Sequence, residues 1–96
     1  MNPDAFEVVK TVVHELSREL GYDSFADASP DTPLYGDGTG IDSLSLVLIV
    51  AAVERAAEDT FDKRVLLADE RAMSRRNSPY RTLGTLADLL RERLAE

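Results

Sequence analysis

Cysteine is absent from this 96-residue sequence. That excludes a disulfide framework, a thiolate zinc site and a cysteine nucleophile. Histidine is nearly absent: His14 stands alone, so a two-histidine metal site is excluded as well. Cations are the minority, 11 Lys and Arg against 18 Asp and Glu, for a net charge of -7. Such a balance repels nucleic-acid phosphate and anionic lipid, favours basic partners, and keeps a small domain soluble. No apolar run is long enough to span a bilayer. The first residues, Met1-Asn2-Pro3-Asp4, lack a basic region leading into an apolar core, so no signal peptide is expected. These absences give the expectation of a soluble, cytoplasmic, monomeric protein with no transmembrane segment and no nucleic-acid partner.

What is present is a hydrophobic fraction of 44%, enough for a modest core. Residues 1–96 read as one domain, without internal repeats. Asn2 as N-cap, Pro3 at the first helical position and Asp4 in the first turn start a helix expected over residues 3–20. Phe6, Val9, Val13, Leu16 and Leu20, widened by Val8 and Val12, form its apolar stripe, and Gly21 stops it.

Residues 21 to 41 have no sustained period and hold Gly21, Pro30, Pro33, Gly36, Gly38 and Gly40. Phe25, Leu34, Tyr35 and Ile41 are spaced to pin this long loop across the ends of a helix bundle. A calcium loop fails there. With Asp31 first and Gly36 sixth, Pro33 and Tyr35 fall where oxygen ligands are required.

Asp42 is placed to cap a second helix running to about Thr60. Leu44 to Val53 is almost wholly apolar, so this helix is expected at the centre of the bundle, touching several elements at once. Ser45, Leu48, Ala52, Arg55, Asp59 and Asp62 make one stripe, polar except at Leu48 and Ala52. Leu46, Ile49, Val50, Val53, Ala57 and Phe61 face away from that stripe, with Leu44, Val47 and Ala51 on the flank.

After an extended connection, residues 68–73 read as a brief third helix with Leu67 and Met73 turned inward. Ser74 to Arg81 is polar and basic. Thr82 caps a last helix whose face is Leu83, Leu86, Ala87, Leu90 and Leu94, with Arg91 and Arg93 near its negative end and Gly84 weakening its first turn. The fold class is therefore all-α, a small four-helix bundle of three main helices and one short one, with a long loop between helices one and two.

Few residues offer chemistry. A serine triad needs nucleophile, base and orienter together, and the one histidine lies on a distant element. Asp37, Asp42, Asp69 and Glu70 are scattered carboxylates without a histidine or cysteine to complete a metal site. Arg71, Arg75, Arg76 and Arg81 form a basic cluster with no aromatic stacking pattern, suited to solvation or to pairing with acidic neighbours. Ser43 remains. It sits at a helix start, where backbone N–H groups and the dipole favour a phosphate. Serine is also common there for capping alone.

Gly40-Ile41-Asp42-Ser43-Leu44 follows a Gly-rich loop and opens the long apolar helix. A Thr-Leu-x-x-Leu-Ala-x-x-Leu helix, Thr82 to Leu90, closes the chain. This resembles the acyl carrier proteins and the related peptidyl carrier domains, in element order over nearly the whole chain. The resemblance implies that Ser43, flanked by Asp42 and Leu44, accepts 4'-phosphopantetheine from coenzyme A by the action of a phosphopantetheinyl transferase. The arm's thiol then holds an acyl group as a thioester for acyl-loading and acyl-using enzymes. It implies a carrier with no catalytic residues of its own, and no metal.

The pattern also departs from the family. Fatty-acid-type carriers follow Asp-Ser-Leu with an acidic residue and place another three positions later, where this chain has Ser45 and Leu48. Arg55 follows Glu54 where acid is common. The second helix reaches Phe61-Asp62, about one turn further than in the common form. Ser45, Leu48 and Arg55 thus mark a partner-docking surface for a dedicated set of enzymes, as in lipid modification, secondary metabolism or envelope biosynthesis. Two other readings stay open: an aminoacyl or peptidyl carrier loaded by an adenylating enzyme, and an unmodified helical adaptor.

Overall fold

A helical apolar period buries one face, and the first helix does so. In the computed structural model, which describes residues 4–21, 29–36, 41–74 and 78–96, α1 spans Ala5–Leu20 and buries Ala5, Val8, Val9, Val13 and Ser17. It starts later than residue 3, with Asp4 as the N-cap residue; the proposed Asn2-Pro3 start lies outside the described residues. Gly21 ends it in the left-handed region, φ 90°, and its N–H donates to the Arg18 and Ser17 carbonyls. Leu20, expected on the buried stripe, is exposed in that last turn.

The other helices are α2 (Ser43–Phe61), α3 (Glu70–Met73) and α4 (Leu83–Leu94). Among the described residues the only β-type pairing is one isolated antiparallel bridge, Pro33 with Thr82. The fold is thus an all-helical bundle of four helices, one of them very short. Among the described residues no helix is long and apolar enough to cross a membrane.

The centre of the bundle is not α2, as the sequence led us to expect. It is α1, which packs against both α2 and α4. The physical reason is coverage. Ile49, Val50, Val53 and Ala57 of α2 are buried. Among the described residues there is no further long helix to cover the opposite side of α2. α4 contributes most to the core, with Leu83, Leu86, Leu89 and Leu90 all fully buried. Each such side chain contributes roughly 1.5–3 kcal/mol of transfer free energy.

The loop between α1 and α2 is pinned, though by fewer anchors than expected. Leu34 and Ile41 are buried in the core. Tyr35 is exposed, because its neighbour Leu34 takes the inward position of an extended segment. Phe25 lies outside the described residues.

The same segment runs beside the start of α4. Leu34 N–H donates to the Arg81 carbonyl (2.8 Å) and Tyr35 N–H to Tyr80 (3.1 Å). In return Leu83 N–H donates to Thr32 (3.1 Å) and Gly84 N–H to Pro30 (2.9 Å). Gly84 is therefore more than a weak helix former. A Cβ on it would stand 2.7 Å from the Pro30 carbonyl oxygen, so the crossing needs glycine.

Leu67 fixes the connection between α2 and α3. Its side chain is fully buried. Its N–H donates to Glu54 Oε2 of α2 (2.6 Å), and its carbonyl accepts from the buried Tyr80 hydroxyl (2.5 Å). Met73 does not turn inward as expected. It is 70% exposed, since a four-residue helix has one buried position here and Ala72 takes it.

The end of α4 is polar but closed. Arg93 is buried and forms a fork with Asp69, at 2.6 and 3.1 Å. A guanidinium in that position needs a partner, and the same carboxylate also caps α3 through Ala72 N–H. Lys63 Nζ donates to the Leu94 carbonyl (2.7 Å) and to that of Glu96. Arg71 of the basic cluster pairs with Glu96, while Arg75 and Arg76 lie outside the described residues.

Candidate functional site

The site is built by one cap. Asp42 has extended backbone, and its Oδ1 accepts from Ser45 N–H at 2.7 Å. Its carbonyl accepts from Leu46 N–H, the first intrahelical bond of α2. The Ser45 amide, and then the Ser45 hydroxyl, hold the Asp42 carboxyl below the usual carboxylate range. The carboxylate is thereby directed at the third helical residue. Among the described residues nothing accepts from the N–H groups of Ser43 and Leu44, and Ser43 is exposed. The exposed hydroxyl of Ser43 thus stands beside two backbone donors that have no acceptor among the described residues, at the positive end of a 19-residue helix.

A second consequence of the cap concerns Ser45. On the helical projection it shares a stripe with Leu48 and Arg55, but it is only 9% exposed. Its amide and hydroxyl both serve Asp42, which folds the side chain against the start of the helix. Ser45 therefore does not share the outer surface with the other two residues assigned to docking. Leu48 is 45% exposed and Arg55 is exposed.

Two residues expected on the flank stand out furthest. Leu44 is 68% exposed and Val47 61%. With Leu48 and the exposed Ala51 they occupy positions i, i+3, i+4 and i+7, one continuous apolar stripe, which Arg55 prolongs. Such a stripe on a helix marks an interaction surface. It could have been found from sequence. A helix apolar on nearly every side, in a chain with two other long helices, has more apolar surface than those two can cover.

His14, half-buried on α1, has its carbonyl occupied by the Ser17 hydroxyl (3.0 Å). No group of three or more potential metal ligands occurs among the described residues. Asp37 of the scattered carboxylates lies outside them. Glu54, the acidic position kept on α2, is engaged with Leu67 N–H and is a structural residue.

No protein-family model matches this chain, and no curated protein or solved structure matches it either.

Proposed function

We propose that the protein is a carrier whose Ser43 bears 4'-phosphopantetheine, and that it delivers an acyl group to partner enzymes of a specialised lipid or secondary-metabolite pathway. The observation that carries this reading is the start of α2: an exposed serine hydroxyl, two open backbone N–H groups and a cap aimed elsewhere. A phosphodiester on Ser43 Oγ would sit against those donors, which favour an anion. Attachment forms the Oγ–phosphorus bond, breaks the pyrophosphate bond of coenzyme A, and releases adenosine 3',5'-bisphosphate and the hydroxyl proton. A separate transferase supplies the base, since the neighbouring Asp42 carboxylate is engaged as the helix cap. The arm supplies the thiol that the chain lacks. The resemblance of Asp42-Ser43-Leu44 in its setting to the acyl carrier proteins supports the same reading.

The exposed stripe of Leu44, Val47, Leu48 and Ala51 suits partners that must approach Ser43, because it begins at the next residue. It would serve an unmodified adaptor equally well, and one experiment separates the two. The protein is incubated with coenzyme A and a broad-specificity phosphopantetheinyl transferase, and its intact mass is measured. The carrier reading requires the gain of one phosphopantetheine, abolished by Ser43→Ala and retained by Ser45→Ala. No gain with several transferases favours the adaptor. Loading of the modified protein by an adenylating enzyme, in preference to acyl-transferring enzymes, would favour the aminoacyl or peptidyl carrier.

A further inference from the structure

The two long helices α1 and α2 face each other antiparallel: Val8 and Val12 lie opposite Ala56 and Thr60, and Leu16 and Glu19 opposite Ala52. Between them, on the outside of the bundle, runs an open groove. Its floor is apolar, made by Val8, Val12 and Leu16 with Ala52 and Ala56. Alanine at both α2 positions keeps the floor low. From Glu7 to Glu19 the groove follows roughly 18 Å of α1, the length of about three turns of another helix.

The rim is acidic. Glu7, Glu15, Glu19 and Asp59 line it, against the single guanidinium of Arg55, with Arg18 beyond Glu19 at one end. None of these four carboxylates forms an ion pair or hydrogen bond with a described residue. The contrast with the α4 side is sharp. There Asp4 and Asp88 are paired with Arg91, Asp69 with Arg93, and Glu96 with Arg71. Several of the chain's few cations are thus engaged on the α4 side, and the α1–α2 rim keeps its negative charge open.

We propose that this groove binds a basic amphipathic helix of a partner protein. The partner's apolar stripe lies on the valine, leucine and alanine floor. Its flanking lysines or arginines meet the four rim carboxylates. Ala52 stands nine residues along α2 from Ser43 (52 − 43), about 13 Å of helix. A helix in the groove therefore leaves Ser43 and the start of the stripe at Leu44, Val47 and Leu48 uncovered, and meets the stripe only at its far end, where Arg55 stands on the rim. The proposal does not depend on the modification of Ser43.

The test uses two synthetic amphipathic peptides of about four helical turns, with the same leucine stripe and either lysine or glutamate on its flanks. Each is titrated into the isotope-labelled full chain and followed by amide chemical shifts. The lysine peptide is expected to bind, to perturb Thr11, Val12, Ala52 and Ala56, and to weaken with added salt. Ala56→Arg, which fills and charges the floor, is expected to weaken it about tenfold. The exposed pair Glu15→Lys with Glu19→Lys, which leaves the core untouched, shifts preference towards the glutamate peptide. Leu66→Gln, at an exposed residue that does not line the groove, leaves binding unchanged. Equal binding of the two peptides, perturbation confined to Leu44, Val47 and Leu48, or no binding of the lysine peptide would each overturn the proposal.

Discussion

The starts of α2 and α4 are opposite solutions to one problem. The first N–H groups of any helix lack intrahelical acceptors. At α4 each is supplied. Thr82 and Thr85 exchange a capping box, with Thr85 N–H on Thr82 Oγ1 at 3.1 Å and Thr82 N–H on Thr85 Oγ1 at 3.0 Å. The Leu83 and Gly84 N–H groups go to the loop carbonyls of Thr32 and Pro30. At α2 the cap reaches Ser45 alone and leaves Ser43 and Leu44 open. A closed start holds the fold together. An open start, exposed and followed by an apolar stripe, is available to something outside the chain. The difference teaches that a capping residue alone does not reveal function; what matters is which amides remain after the cap is made.

This comparison can be broken most directly at Gly84. In an open helix Gly→Ala gains up to about 1 kcal/mol from propensity. Here the new methyl meets a backbone carbonyl, so Gly84→Ala is expected to destabilise by roughly 1–3 kcal/mol in denaturant unfolding. A stabilised variant would show that the loop is not held against α4. Next in size is Thr82→Ala, which removes the box and is expected to lower stability by about 1 kcal/mol.

The smallest effect is the most local. The Asp42 carboxyl is held below its ordinary range, so its cap is complete above the unfolded carboxylate value near 4. The contribution is lost as pH falls through the depressed folded value. The Ser45 amide resonance should therefore titrate in acid while that of Thr85, capped by a hydroxyl, stays still. Asp42→Asn should abolish the Ser45 titration. Parallel movement of both amides would erase the distinction between the two starts.

The three long helices were legible because each carries its period and a stop or cap in its own residues. Gly21, Asp42 and Thr82 act locally and do in the structure what their positions imply. Contacts between distant segments were not legible. Backbone bonds from Thr32 and Pro30 to α4 have no side-chain signature, and Gly84 was read only as a flaw in a helix. Arg93 was read only as a cation near the negative end of α4, and its burial against Asp69 comes from another element. Ser45 was assigned outward by polarity, whereas its bonds to Asp42 decide its burial. At the candidate site the serine was legible, and so was the surplus of apolar surface on α2, but not which part of it stays exposed. Exposure depends on what the neighbouring helices leave uncovered.

The joint between residues 29–36 and α4 also bears on the order of assembly. The loop is made before α2, and its partners at Tyr80, Arg81, Leu83 and Gly84 come after it. While the chain is being synthesised, Leu34 and the loop's carbonyls must therefore wait in water until α4 emerges. Closing that joint encloses the whole of α2 in one long loop, an entropic cost met only when non-local contacts form. The exposed surface beginning at Ser43 thus lies within a segment whose two ends are tied together through the start of α4.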